Sequence, residues 1–305
     1  MSQPASPLRL RLPATSANLG PGFDALGLPM ALYLTIEAEA ADAFAIEATG
    51  RDAELCGQLD DNLILTTYES VLAGAGRVVV PLWLKLHNEI PLGMGCGSSA
   101  AALLAGVVLA NHFGGLGWSS QQILEEACWR EGHPDNVAAC WLGRMTASAM
   151  DGSAVITATC GQNINWRLML ALPDASLSTT KARAMLPESY SRADAVANVQ
   201  NTALLVAAFA LDRPDLLRTA MSDHLHQPYR QQACPLLPLL QPLAGKEGIF
   251  GVSLSGAGPS VLLIADNLTI LGNFYAVIRR AANDEDLEII ETKVASGAEF
   301  ALITK

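Results

Sequence analysis

The sequence is short of positive charge. Nineteen lysines and arginines stand against thirty aspartates and glutamates, a net charge of −11 at neutral pH. A protein that grips a nucleic-acid backbone needs a basic face, so nucleic acid is excluded as a partner. Charge of either sign is scarce: 16% of residues are charged and 50% hydrophobic, as in a packed globular protein. No apolar run has membrane length. The longest, Ala100–Ala110, falls well below the ~20 residues a spanning helix needs. It is apolar on all sides, which suits a helix buried in protein. The six cysteines, at 56, 96, 128, 140, 160 and 234, form no Cys-x-x-Cys pair and no metal-ligand spacing. They read as reduced thiols, with Cys128 and Cys140 as small core residues. The opening residues, Met-Ser-Gln-Pro-Ala-Ser-Pro, lack the basic start and apolar core of a leader. The expectation is a cytoplasmic protein without a membrane partner. Also absent is Gly-x-x-x-x-Gly-Lys-Ser/Thr, so the common P-loop is excluded.

What the chain does carry is Pro91, Leu92, Gly93, Met94, Gly95, Cys96, Gly97, Ser98, Ser99 and Ala100, followed at once by an apolar run. Glycine at every second position lets the backbone turn through positive φ and approach a ligand without a Cβ in the way. The spacing predicts a helix from about Ser99 to Phe113. The free N–H groups at such a helix start favour an anion. The stretch therefore reads either as a loop that holds phosphate or as a turn that packs a helix on a sheet. Cys96 carries two readings as well: a thiol made reactive by those N–H groups, or a small apolar plug.

Around that loop, strands and helices interleave. Leu8–Leu12 alternates as a strand and runs into Pro13–Asp24, which reads as a loop. Leu32–Glu39 alternates again, with Leu34, Ile36 and Ala38 on one face. Helices are expected over Leu63–Ala75 and from Ser119 to Arg130, with strand-like residues at Val78–His87. Pro134 argues against a helix across Glu131–Asn136. One or two strands follow between Leu142 and Ala158. From Trp166 the pattern restarts: strands at Leu168–Leu172, Ile249–Leu254, Val261–Ala265, Leu287–Val294 and Glu299–Ile303. Helices in this part are expected at Ser189–Leu211, Pro214–Ser222 and Leu268–Ala282, and Ser178–Arg183 reads as a polar, basic segment. The class is α+β or α/β. The change near Gly161–Trp166 divides the chain into 1–163 and 164–305.

Four stretches in fixed order, Pro13–Asp24, Pro91–Ala102, Glu131–Asn136 and Leu254–Ser260, resemble the GHMP small-molecule kinases. Pro-x-Gly-x-Gly-x-Gly-Ser-Ser-Ala is the phosphate loop of that superfamily, and Gly256-Ala-Gly-Pro-Ser260 is similar to its third motif. Within it, Pro13-Ala-Thr-Ser-Ala-Asn-Leu-Gly-Pro-Gly-Phe-Asp24 and Gly132-His-Pro-Asp-Asn-Val137 resemble the homoserine kinase family. The likeness covers nearly the whole chain. Met94 and Cys96 depart from it, standing where serine and leucine are common. The resemblance implies an α+β fold of two domains, a ribosomal-protein-S5-like N-terminal domain that binds ATP and a ferredoxin-like C-terminal domain, with the active site between them.

It implies transfer of the γ-phosphoryl of ATP to the hydroxyl of L-homoserine, in threonine biosynthesis. Gly93–Ser99 would give N–H groups to the nucleotide phosphates. Ser99 and Glu131 would hold Mg²⁺, a hard cation that takes oxygen ligands; Glu125 and Glu126 are alternatives to Glu131. Asn62 matches a position near the adenine and reads equally as a helix cap. For a zwitterionic substrate, Asp24 with Asn18 suits the ammonium and hydroxyl end, and Arg183 and Arg230 suit the carboxylate. Thr179, His133 and Gly256 complete the expected substrate site. Asn136 is expected to orient the reacting hydroxyl, and Asp135 to serve as a structural residue or a weak base. Other alcohols, such as threonine or mevalonate, and a non-catalytic ligand sensor are the competing readings. A homodimer is expected on base rates alone.

Overall fold

Alternating apolar residues set the first sheet. β1 (Leu8–Asn18) buries Leu8, Leu10 and Leu12, and β2 (Gly22–Ala40) buries Leu34, Ile36 and Ala38. The two pair antiparallel, with register shifts at Pro13/Ala14 and Ala17/Asn18. The computed structural model describes residues 5–303. Residues 1–4, part of the stretch read for a leader, lie outside the described residues.

One expectation is corrected here. Pro13–Asp24 is not a loop: residues 13–18 continue β1, a turn spans 19–21, and 22–24 open β2. The first register shift accommodates Pro13, which has no N–H for a ladder. Buried Thr15 and Ser16 then follow the β1–β2 pairing, with the Thr15 N–H turned to the Cys96 carbonyl instead of the ladder.

β3 (Ala45–Gly50) is a strand the sequence does not announce; its side chains stay half-buried or exposed, so no clear face forms. Then come α1 (Ala53–Cys56), α2 (Leu63–Gly74) and β4 (Leu82–Asn88). The strand expected from Val78 begins only after Pro81, and Val78 itself is exposed. α3 (Ser98–Phe113) is the buried helix that the all-round apolar run predicts, packed between α2 and α4 (Ser120–Glu131). Ser119 and Gln122 close a capping box on α4. α5 (Asp135–Leu142) corrects a second expectation. Pro134 does not exclude a helix; it precedes one, where a missing N–H costs nothing. Cys128 and Cys140 are core residues, as expected.

β5 (Met145–Asp151) and β6 (Ala154–Cys160) form a hairpin, and β5 pairs with β2. β7 (Arg167–Leu172) opens a second sheet. α6 (Thr179–Ala184), α7 (Arg192–Ala210), α8 (Leu217–Ala220), α9 (Gln227–Arg230) and α10 (Leu236–Leu240) lead to β8 (Ile249–Leu254) and β9 (Val261–Ala265). α11 (Leu271–Ala282), β10 (Glu288–Lys293) and β11 (Glu299–Leu302) finish the described chain. The polar segment at Ser178–Arg183 is thus mostly helix, with the Ser178 hydroxyl capping it.

The seven-stranded sheet has the order β11-β1-β2-β4-β3, with β5 and β6 hung from β2. The four-stranded sheet has the order β10-β7-β9-β8. The class is α+β. The last strand returns from the second sheet to pair with β1. One apolar core lies under the large sheet and continues through Leu168, Leu170, Leu262 and Ile264 onto one face of the small sheet; a second lies between the other face of the small sheet, α10 and α11. Among the described residues, no helix is long and apolar enough to cross a membrane.

Candidate active site

The glycine loop lies where the two sheets meet. Gly93, Gly95 and Gly97 have φ of 71°, 73° and 71°, left-handed values that would strain any residue with a Cβ. Three loop carbonyls are tied back to different parts of the fold. Gly93 O accepts from Leu177 N at 3.3 Å, and Cys96 O accepts from Thr15 N at 2.9 Å. Gly95 O accepts from the Ser255 hydroxyl at 2.8 Å. The loop N–H groups, by contrast, are open: among the described residues, no acceptor receives a hydrogen bond from the N–H of any of residues 93–97. A row of unpaired backbone donors running into the start of α3 fits an anion of several phosphates.

The reading of Cys96 as a reactive thiol is overturned. The side chain is buried, and burial pushes its pKa up to about 12, against small opposing effects from Ser260, Arg51 and Ser255. It is the apolar plug. Met94 packs against the core, and neither it, Pro91 nor Ala100 lines a cavity at the loop.

A cleft of about 180 Å³ opens beside the loop. A hydrogen-bonded chain forms one wall. Thr15 Oγ1 donates to Asn136 Oδ1 at 2.7 Å; Asn136 N donates to Asp135 Oδ1 at 2.7 Å; His133 Nδ1 lies 2.6 Å from that same oxygen. Burial alone would lower the His133 pKa, but Asp135 outweighs it and raises it. Asp135 is 1% exposed and its Oδ1 takes several donors, so it organises this wall. Next to it, Ser99 Oγ donates to Glu131 Oε1 at 2.8 Å. Burial raises the Glu131 carboxyl above the usual range, and the Ser99 bond opposes it. Glu125 and Glu126 are engaged elsewhere on α4, by Gln121 and by Arg130.

The opposite wall carries charge. Arg183 reaches Asp24 with Nη1–Oδ2 3.0 Å and Nη2–Oδ1 2.6 Å. Asn18 holds the backbone beneath: its Oδ1 accepts from Asp24 N at 3.0 Å, and its Nδ2 donates to Gly256 O at 2.9 Å. Arg230 is 2% exposed, yet no carboxylate among the described residues forms an ion pair with it. Burial, with the Arg183 charge nearby, lowers its pKa. Thr179 lines the same cleft from the first turn of α6. The fold therefore brings Asn18, Asp24, His133, Asp135, Asn136, Thr179, Arg183, Arg230 and Gly256 to one cavity with the glycine loop.

Asn62 stands apart from them. It borders a second cavity of about 360 Å³, which reaches Ser98 and Ser99 and is walled by Leu34, Leu86, Ile90 and Leu92. Its Oδ1 caps α2 through Ile64 N and Leu65 N, and its Nδ2 donates to the carbonyls of Cys56 and Gln58. Both polar atoms of the amide are used, so Asn62 shapes that cavity as a cap.

Four residues in or behind the cleft escape the sequence reading: Phe23 lines it, while Thr15, Ser255 and His226 bond to groups that do. Thr15, Phe23 and Ser255 sit inside quoted stretches, which is the only signal they give. His226 gives none.

The family model for the GHMP kinases N terminal domain matches residues 62–144. A homoserine kinase of Solibacter usitatus is 48% identical over 266 residues, 86% of each chain. The chain belongs to the homoserine kinase family. A family member from Deinococcus radiodurans is 40% identical over 87% of each chain. Among solved structures, a candidate homoserine kinase from Listeria monocytogenes superposes with a TM-score of 0.77 at 30% identity, covering 97% of this chain and 100% of that one. A homoserine kinase from Cytophaga hutchinsonii shares the fold with a TM-score of 0.81 over 99% of both chains. Met94 packs against the core and Cys96 is buried. The departures at Met94 and Cys96 therefore leave the unpaired N–H groups in place.

Proposed function

We propose that this protein transfers the γ-phosphoryl group of ATP to the side-chain hydroxyl of L-homoserine, giving O-phospho-L-homoserine. One observation carries the reading. A buried guanidinium with no carboxylate partner among the described residues and an aspartate line the same cleft as a row of backbone N–H groups for which no acceptor is found among those residues. Such a site suits a zwitterion placed against a polyphosphate.

The loop Gly93–Ser99 holds the phosphates, and the apolar cavity at Asn62 takes the base. Ser99 and Glu131 fit a hard divalent cation: they are adjacent oxygen donors, and the Ser99 bond engages only one carboxylate oxygen. When bound, Mg²⁺ neutralises charge on the phosphates. Asp24 accepts the substrate ammonium, while Arg230 and Arg183 hold the carboxylate as a guanidinium fork does. Asn18, His133, Thr179 and Gly256 line that subsite. Asn136, pinned by Thr15 and Asp135, orients the attacking hydroxyl. A loose phosphoryl-transfer transition state asks for position and charge more than for early proton removal, so Asp135 supports Asn136 rather than acting as a strong base.

The same reading divides the chain at 163/164 into a nucleotide-holding part and a substrate-closing part, with β11 returning across the boundary. It places the enzyme in the cytoplasm, within threonine biosynthesis, as a homodimer. The deciding experiment is an ATP-dependent phosphorylation assay with L-homoserine, L-threonine and mevalonate side by side. Preference for homoserine supports the proposal. Turnover of mevalonate alone, or nucleotide binding without turnover of any of the three, rejects it.

A further inference from the structure

One buried cluster beside the cleft has no part in the roles above. His226 is fully buried just ahead of α9, with Nε2 2.8 Å from the Gly20 carbonyl and Nδ1 3.0 Å from Arg230 Nη1. A carbonyl can only accept and a guanidinium can only donate. Together the two contacts fix one tautomer: Nε2 carries the hydrogen, and the Nδ1 lone pair receives Arg230. Asp223 secures this start of chain by accepting from the N–H groups of Leu225, His226 and Gln227 at 2.9, 3.0 and 2.6 Å. The imidazole also stacks on Phe23, with ring centres 5.3 Å apart. The second anchor of Arg230 is Nε to the Ala182 carbonyl, at 3.2 Å. Two neutral acceptors thus aim a buried cation. A carboxylate in the place of His226 would pair with Arg230 and cancel the charge that the cleft presents.

We propose that His226 is a positioning residue that makes Arg230 a carboxylate receptor. Its neutral ring orients the guanidinium while leaving the charge unspent, and its bond to Gly20 ties that orientation to the turn carrying Asn18 and Asp24. The inference rests on the amino-acid kinase reading above. The surroundings keep the ring neutral. Burial lowers its pKa, Asp223 pulls the other way, and the Arg230 charge lowers it again; Asp24, from β2, also raises it. Arg183 of α6 also lies near Phe23, whose ring centre is 5.5 Å from the Arg183 guanidinium carbon and 5.6 Å from that of Arg230.

The test is steady-state kinetics of His226→Leu, His226→Gln and His226→Asn, with L-homoserine and its methyl ester as acceptors and Tm measured alongside. Asparagine can offer an acceptor near the place of Nδ1. Glutamine can keep the donor toward Gly20 without that acceptor, and leucine has neither. Losing a hydrogen bond to a charged group predicts a KM for L-homoserine raised about tenfold or more in the Leu and Gln variants. The KM for ATP stays within about twofold, and the KM for the ester does not change. The Asn variant recovers most of the loss. An unchanged homoserine KM in the Leu and Gln variants overturns the proposal. So does an equal rise for acid and ester, or a joint rise for ATP and homoserine with a fallen Tm that Asn does not restore. Should the Leu variant fail to fold, the contrast between Gln and Asn decides. A wild-type enzyme that does not distinguish acid from ester, or phosphorylates neither, rejects the substrate reading and this inference with it. That result differs from all the others.

Discussion

Arg183 and Asp24, 159 positions apart in the chain, meet on one wall of the cleft in a two-fold hydrogen-bonded ion pair. The sequence reading assigns them to opposite ends of a substrate, yet here they satisfy one another. The two statements are compatible. Under the proposed function, a zwitterion carries the same two charges in the complementary order, so its arrival would exchange one ion pair for two. Until then the pair keeps the two charges matched.

On the proposed function, the pair should matter for binding far more than for folding. Its side chains are 40% and 33% exposed, and a pair that open contributes at most about 1 kcal/mol to stability. Asp24→Asn is therefore expected to leave Tm nearly unchanged and to raise the KM for L-homoserine by about a hundredfold, the loss of a charge-assisted contact. Kinetics beside a thermal melt checks both halves. A large drop in Tm with an unchanged KM would make Asp24 a structural residue.

Two glycines of similar φ should behave very differently when changed to alanine. Gly97 has φ 71°, and a Cβ there would overlap Thr15 Oγ1 and come 3.1 Å from Asn136 Oδ1. Gly76, past the end of α2, has φ 63° and open space around it. Gly76→Ala should cost about 1–2 kcal/mol of stability from the left-handed backbone and leave kcat intact. Gly97→Ala should lower kcat/KM by about a hundredfold or more, because it displaces the bond that orients Asn136. Comparable activity in the two variants would separate Thr15 from the reaction.

Glu131→Gln removes a carboxylate that burial already disfavours as an anion. The fold should lose nothing by it. The reaction should lose a metal ligand: kcat is expected to fall about a hundredfold or more, with the Mg²⁺ concentration for half-maximal rate moved upward. A magnesium titration of both enzymes checks this. An unshifted titration would place the cation elsewhere, with Asp24, His133 and Asp135, whose ligand atoms lie within 4.8 Å of one another, as the next set to test.

Asp135→Asn weighs support against base catalysis. Asp135 is buried and accepts from His133 and from the backbone of Asn136, so the change should cost about 1–3 kcal/mol of stability. A supporting role predicts a kcat lowered by less than about a hundredfold; a true base predicts a loss of about a thousandfold or more. Single-turnover rates of the purified variant distinguish the two.

How far the sequence could be read follows from how local each feature is. The loop needs three positive-φ residues in a row of seven, and glycine spelling shows that directly. Leu34, Ile36 and Ala38 declare a buried face within five positions. Ser119 with Gln122 declares a helix start within four. Thr15 on Asn136, by contrast, spans 121 positions, and His226 on Gly20 spans 206. Neither pair follows any spacing rule, because the topology alone makes them neighbours. Residues 13–18 mislead for another reason. Their composition is that of a turn, and only pairing with β2 makes them a strand. Pro134 misleads because a proline looks alike in sequence whether it interrupts a helix or precedes one.

The neutral state of His226 has a consequence for stability that runs through pH. Its folded pKa is lowered by burial from the ordinary 6.5, against the pull of Asp223. The unfolded imidazole takes up a proton near pH 6.5, and the folded one only at lower pH. Between those values the unfolded state binds more protons, so stability falls as pH falls. The contribution of a neutral His226 is complete above about pH 6.5 and is lost progressively below it, by up to ~1.4 kcal/mol for each unit by which the two pKa values differ. Asp223, Arg230 and Asp24 all face the ring, so the effect is assigned by difference. In His226→Asn the same carboxylates and guanidinium remain, and the titrating ring is gone. Urea unfolding between pH 5 and 8 should give a slope for the wild type below about pH 6.5 that the Asn variant lacks. Parallel curves for the two proteins would mean that the ring accepts a proton in place. It would then point a second donor at Arg230, and the orientation argued for that guanidinium would fail.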